Sequence, residues 1–382
     1  QASRIASSFV SRDYNPHPWF RNRHVQTILG VFLRDECGYV TNLLETISTI
    51  VTKGLPRVVT DDNSESSSEY WDQRIRYETP DDDFFDVDYK YASSPEKAPL
   101  VIVVHGLESN SNSSLCLHMA RAYVDQGMNV ACINFRGCSG ELNRTMKPYH
   151  AGFTDDLKQY LTILSEDDNN KINNGLYLSG FSLGANVVMK TLGELSLDAV
   201  EKYNIQGAAV SGAPFSLNYH WRCLIDDDFN RNVYANNLLK SMKKKVQYYT
   251  DTYCNGDTET TALNYWKAMN ATTIPEMEEA MICPLFGFTD LFDYYDRSAA
   301  LNEIEDIAVP LYVLNAQDDP FFRFSECPST PPIIRFEQTP YGGHLGHLFH
   351  QIEQGDGSSR ISSFAPIEMA RFLNHVQENR SL

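Results

Sequence analysis

The sequence predicts an α/β fold with a mostly parallel central sheet, helices on both faces and a helical insertion. Three observations carry that prediction. From Leu100 onward, short continuous apolar runs alternate with segments of helical periodicity, as strands covered on both faces do. One of these runs, residues 176–181, ends at a glycine-flanked serine and passes at once into a helical pattern. Residues 213–309 break the alternation with a polar, Asn- and Tyr-rich stretch that is too long for a simple connection.

Taken in order, residues 1–73 read as an N-terminal arm packed over the core, with an aromatic and basic segment from Pro18 to His24 and an apolar run over 27–33. A polar loop over 61–69 follows. Residues 74–77 and 84–91 then form an antiparallel entry to the sheet, the second with strand-like alternation. Parallel strands are expected at 100–105, 129–135, 176–181, 207–211 and 310–314, with a last one at 333–337. Between them, Leu115, Met119 and Ala122 recur at helical spacing, as do Leu157, Tyr160, Leu161 and Leu164, and as do Ala185, Val188, Met189 and Leu192. The core therefore divides into 74–212 and 310–382, with 213–309 as a helical cap. The final helix, carrying Ile367, Ala370, Phe372, Leu373 and Val376, packs back on the sheet.

Hydrophobic residues make up 42% of the 382 and charged residues 21%, enough to build a sizeable core without disorder as the default. Acidic residues outnumber basic ones 50 to 32, and a net charge of −18 repels phosphate backbones, which excludes nucleic acid as an expected partner. The basic cluster Lys240, Lys243, Lys244 and Lys245 reads as a solvated helix face. The eight cysteines show no C-x-x-C and no zinc-type pairing with histidine; Cys116 and Cys132 read as core thiols, so no metal or disulfide framework is expected. Glycosylation-type triplets at Asn112, Asn143 and Asn270 are of the frequency chance produces. No window of eighteen apolar residues exists, and the chain begins at Gln1. Its compartment stays open between cytoplasmic and membrane-associated, the latter through a segment absent from this chain.

The chemistry concentrates in three places. A serine hydroxyl is a poor nucleophile at neutral pH and needs both an adjacent base and a tight turn that exposes it. Gly180-Phe181-Ser182-Leu183-Gly184, between an apolar strand and a helix, supplies that turn and makes Ser182 the candidate nucleophile. The base must come from a loop after the last strand. His344, behind Gly342-Gly343, fits that position, with His347 in reserve. For the acid, the strand ending near Asn315 leads into Gln317-Asp318-Asp319-Pro320; Asp318 is the expected partner of the histidine, with adjacent Asp319 pointing elsewhere. The order serine, acid, histidine is that of the α/β-hydrolase triad. Backbone amides of Leu183 and of Leu107, in His105-Gly106-Leu107 after a strand, are the expected oxyanion donors, with His105 itself structural.

His150 and Asp155 have a spacing found in some acyltransferases, but Thr154 and Asp155 read better as the start of the helix over 157–164. Acyl transfer through the same acyl-enzyme, and lipid binding without catalysis, remain the alternatives to hydrolysis.

At these residues the chain resembles the α/β-hydrolase subfamily of bacterial YheT-type esterases, plant embryogenesis-associated hydrolases and animal abhydrolase-domain proteins one to three. The matching pieces are residues 19–28, His105-Gly106-Leu107, Asn134-Phe135-Arg136-Gly137-Cys138-Ser139-Gly140, residues 180–186, Tyr294-Tyr295, residues 315–321 and Gly342-Gly343-His344. The segment His24-Val25-Gln26-Thr27-Ile28 discriminates best, since α/β hydrolases at large lack it. The resemblance implies hydrolysis of carboxylic esters, with acylglycerols or phospholipids as candidate substrates, peripheral membrane contact, no cofactor, and Ser182, Asp318 and His344 at the triad positions.

Overall fold

Eight strands form one sheet in the computed structural model, which describes residues 1–32, 70–167, 172–254, 256–257, 263–322, 330–352 and 359–380. They are β1 (Gln73–Glu78), β2 (Phe84–Lys90), β3 (Leu100–Val104), β4 (Asn129–Asn134), β5 (Leu176–Phe181), β6 (Ile205–Ser211), β7 (Leu311–Ala316) and β8 (Ile334–Thr339). Their spatial order is β1-β2-β4-β3-β5-β6-β7-β8. β1 and β2 pair antiparallel, β2 joins β4 antiparallel, and every later pairing is parallel. The expected strands all appear, within a few residues of their expected bounds. A two-stranded antiparallel sheet, β9 (Leu348–Ile352) with β10 (Ser359–Ser363), departs from expectation; its short segments lack the apolar alternation that announces a strand. The polar loop expected at 61–69 lies outside the described residues.

Because side chains alternate along a strand, one sequence run feeds two cores. In β3, Leu100, Ile102 and Val104 enter one cluster, while Val101 and Val103 enter the other. The second cluster is closed by α3 (Ser114–Asp125) and α12 (Phe364–Asn379), and by Phe9, which follows α1 (Ala2–Ser8) and meets Tyr312 and Phe372 edge-on. A second N-terminal helix, α2 (Arg23–Phe32), lies near the carboxyl ends of the strands. The first cluster is closed by α4 (Asp155–Glu166) and α5 (Leu183–Leu195), with α6 (Asp198–Glu201) beside them. Every residue of α5 from Leu183 to Gly193 is buried, so this helix is enclosed all round and not only on one face.

Between β6 and β7 the chain runs through α7 (Leu217–Asp226), a π-helical turn, α8 (Asn236–Tyr253), α9 (Tyr265–Asn270), α10 (Ile274–Phe286) and α11 (Leu291–Ser298). Asn186 ties this helical segment to α5: its amide nitrogen donates to Ala151 O and Ser298 O, and its oxygen accepts from Ala300 N–H. The basic cluster departs from expectation. Lys240 and Lys244 are exposed, but the Lys245 side chain is 13% exposed and ion-paired. The cause is helical spacing, which puts position 245 one turn from Ser241 on a buried face. Asn143 is buried, with its amide nitrogen bonded to Asp83 and Phe84, which closes that triplet to glycosylation in the folded chain.

Candidate active site

Ser182 sits between β5 and α5 with φ 53 and ψ −124, a conformation that costs an L-residue energy and persists only where its surroundings hold it. Its N–H donates to Ser211 O at the end of β6. The flanking glycines are sterically required. A Cβ on Gly180 would stand 2.6 Å from Gly184 O, and one on Gly184 would stand 2.2 Å from Val104 O. The turn is therefore wedged against β3, with Ser182 half-buried.

His344 reaches this hydroxyl from the loop after β8: its Nε2 is 3.0 Å from Ser182 Oγ. Its Nδ1 is 2.9 Å from Asp319 Oδ2. An ionised carboxylate only accepts, so this contact puts the ring proton on Nδ1 and leaves Nε2 to accept from the serine. Phe321 stacks on the imidazole with centroids 4.1 Å apart, and Phe322 meets it edge-on.

The acid is the correction to the sequence reading. Asp318 does not touch His344; its Oδ1 accepts the Gly343 N–H at 2.8 Å. Strand β7 continues to Ala316 and Gln317 N still bonds across to Thr339 O, so the chain turns only afterwards, with Asp319 N–H closing on Ala316 O. That turn brings the second aspartate, not the first, to the Nδ1 edge of the ring, and Asp319 Oδ1 is fixed by the Phe321 N–H at 2.7 Å. Burial, with the neighbouring Asp319 charge adding to it, pushes the Asp318 carboxyl up to about 6 against the Gly343 hydrogen bond. Two adjacent aspartates in one loop carry no sequence signal that tells them apart.

The histidine loop is braced from the N-terminus. Thr27 Oγ1 accepts the His344 N–H at 2.8 Å and donates to Arg23 O at 2.7 Å. Gln26 bridges to the next strand, accepting Leu348 N–H at 2.7 Å while its amide donates to Phe20 O. Gly343 has φ 55, and a Cβ there would stand 2.5 Å from Arg23 O. The Gln26-Thr27 pair thus has a physical job at the site, which sequence reasoning recognised only as a pattern. His347, the reserve base, points away from Ser182 and bonds to Thr339 Oγ1 at 3.1 Å.

On the opposite side, Gly106 lies against the serine: a Cβ there would be 3.2 Å from Ser182 Cβ. His105 is buried, its Nδ1 donating to Gly106 O and its Nε2 accepting from Phe135 N–H. Burial lowers it to about 4, so the ring is neutral and holds the loop. Leu183 is the first residue of α5, where an N–H has no partner within the helix. Leu107 precedes Glu108, whose φ is 52.

His150 and Asp155 do not form a unit. His150 is enclosed by Phe153, Phe286, Phe288 and Tyr294, and burial lowers it to about 3, whereas Asp155 is exposed on the first turn of α4. Among the described residues no cluster of three or more His, Cys, Asp or Glu side chains is arranged to hold a metal ion, and no helix is long and apolar enough to cross a membrane.

Comparison with known proteins matches residues 95–326 to the Hydrolase_4 family, described as serine aminopeptidase, S33. YheT of Escherichia coli is 30% identical over 288 residues, covering 73% of this chain and 78% of that protein. A monoacylglycerol lipase of Saccharomyces cerevisiae is 26% identical over 284 residues, covering 72% of this chain and 59% of the lipase. Among solved structures, a 2,6-dihydroxy-pseudo-oxynicotine hydrolase superposes with a TM-score of 0.50 at 16% identity, over 80% of this chain and 68% of that one, a likeness of fold.

Proposed function

The chain belongs to the Hydrolase_4 family of α/β hydrolases and is a carboxylic ester hydrolase; from that premise we propose that it cleaves lipid acyl esters through an acyl-Ser182 intermediate. The observation that carries this reading is the single imidazole bridging Ser182 Oγ at 3.0 Å and Asp319 at 2.9 Å.

In the first half-reaction His344 Nε2 takes the hydroxyl proton as Ser182 Oγ attacks the ester carbonyl, and the resulting imidazolium is stabilised by Asp319. The oxyanion is received by the amides of Leu183 and Leu107. Collapse expels the alcohol, protonated by His344. In the second half His344 activates water, which releases the acid and restores the serine. Residues 213–309 act as a cap that shapes the acyl pocket. A lipid ester is supported by the similarity to the yeast monoacylglycerol lipase and by the aromatic side chain of Phe321 stacked on the imidazole, with Tyr234 packed on Phe321 in turn.

Labelling by a fluorescent fluorophosphonate, compared between the native chain and Ser182→Ala and followed by p-nitrophenyl esters of increasing chain length, tests the reading. Labelling lost in the variant, with an optimum chain length, is the expected result. A folded native protein that neither labels nor turns over any ester would overturn it. Adding ethanol as a competing acceptor separates hydrolysis from acyl transfer by whether ethyl ester accumulates.

A further inference from the structure

Glu108 lies immediately after the proposed oxyanion donor Leu107 and is the most heavily tethered residue of its loop. Its backbone holds φ 52, in the left-handed region that a non-glycine residue occupies only when something compensates. Its N–H donates to Tyr149 Oη at 2.7 Å. Its carboxylate is spoken for on both oxygens: Oε1 accepts from Lys245 Nζ at 2.8 Å and Tyr149 Oη at 3.2 Å, and Oε2 accepts from Ser241 Oγ. Ser241 and Lys245 both belong to α8, in the helical cap.

The Glu108 and Lys245 side chains are 9% and 13% exposed. Burial pushes the Glu108 carboxyl up, but the Lys245 charge and the hydrogen bonds from Lys245, Ser241 and Tyr149 outweigh it and leave the carboxyl below its ordinary value. The pair is therefore ionised. A buried ion pair is a poor choice for stability alone, because two apolar side chains of like volume serve as well or better. Its placement between α8 and the residue that follows the proposed oxyanion donor points to a role in geometry.

We propose that Glu108 is a positioning residue that fixes the Leu107 amide toward the oxyanion, and that Lys245 and Ser241 make this positioning depend on where the cap helix α8 lies. The proposal rests on the hydrolase reading above. When α8 is seated, the carboxylate is held on both oxygens and the left-handed turn at Glu108 is maintained. When α8 moves away, the turn loses its tether and the amide its direction. Cap closure and assembly of the oxyanion hole become one event.

The test uses the full chain with Glu108→Gln, Lys245→Met and the double variant Glu108→Leu/Lys245→Met, the last leaving no unpaired buried charge. Melting temperature, kcat and KM on a p-nitrophenyl ester, and the rate of fluorophosphonate labelling are measured for each. The expected result is a 10- to 100-fold loss of kcat in all three, with KM changed less than threefold, slowed labelling, and a double variant that melts near the native protein. A purely structural pair predicts the opposite for the double variant: native melting with native kcat would overturn the proposal. If the single variants fail to fold, the double variant decides alone. Native protein that labels while Ser182→Ala does not keeps the hydrolase reading standing whichever way the Glu108 result falls.

Discussion

Two loops flank the Ser182 hydroxyl, and they are held by opposite means. The His344 loop is clamped by neutral, short-range bonds from the N-terminal helix: the Thr27 hydroxyl on the His344 N–H, the Gln26 amide on Leu348, and Gly343 pressed against Arg23 O. The Glu108 loop is held by a charged tether from a helix more than a hundred residues downstream. Neutral backbone bonds fail beyond a few tenths of an ångström and do not titrate, so they suit a base whose ring must stay aligned. A lysine on a flexible stem reaches further and keeps its charge, so it spans the gap from α8 to the Glu108 loop.

The largest expected effect separates the two aspartates on the base side. Asp319→Asn removes the acceptor that fixes the His344 tautomer, and kcat should fall by roughly 10³- to 10⁴-fold with the fold retained. Asp318→Asn keeps an oxygen for the Gly343 N–H and should leave kcat within about threefold. Steady-state kinetics on one ester checks both, and a reversed order would return the acid role to Asp318. Next in size is Thr27→Val, which deprives the His344 N–H of its acceptor. A lost hydrogen bond of about 1–1.5 kcal/mol corresponds to roughly a tenfold fall in kcat, and Thr27→Ser should recover most of it. Equal losses in the serine and valine variants would mean that the methyl packing, not the hydroxyl, braces the loop.

The helical segment between β6 and β7 should differ in its response to pH. Glu278 in α10 is buried, and burial raises its carboxyl from 4.5 to about 8 despite the hydrogen bonds from Tyr295 and Tyr294. The folded chain therefore keeps a proton that the unfolded chain releases. Stability from this group is present in full below pH 4.5 and declines as pH rises toward 8, with a limiting slope of about 1.4 kcal/mol per pH unit. Glu278→Gln should flatten that decline, read as a melting temperature that changes less between pH 6 and 9 than in the native chain. The smallest effect is expected at the surface: Lys244→Ala, on an exposed position of α8, should change stability by less than about 0.5 kcal/mol, in contrast to its neighbour Lys245. Chemical denaturation of the two variants side by side measures that contrast.

What could be read in advance follows from the range of the forces involved. Residues 100–104 are apolar at every position, and 176–181 at all but Ser179 and Gly180, because both faces of those strands are buried, and that pattern is written locally. Ser182 was legible for the same reason: two glycines, a strand and a helix are all within a few residues, and the steric need for them is local. His344 was legible through Gly342-Gly343, which mark a close approach. The strands β9 and β10 were missed because their residues gain order from Gln26 and from each other across a gap, not from any alternation of their own.

The sequence by itself determined the eight strands of the main sheet and singled out Ser182 and His344 as candidates, all of which depend on neighbours within a turn or a strand. Only the tertiary structure decided between Asp318 and Asp319, turned Lys245 from a surface charge into a buried tether, and gave Gln26 and Thr27 their place beside His344. Each of those depends on a hydrogen bond or ion pair between residues 25 to more than 300 positions apart. Such bonds are made by directions in space, and a local pattern of residues does not encode them.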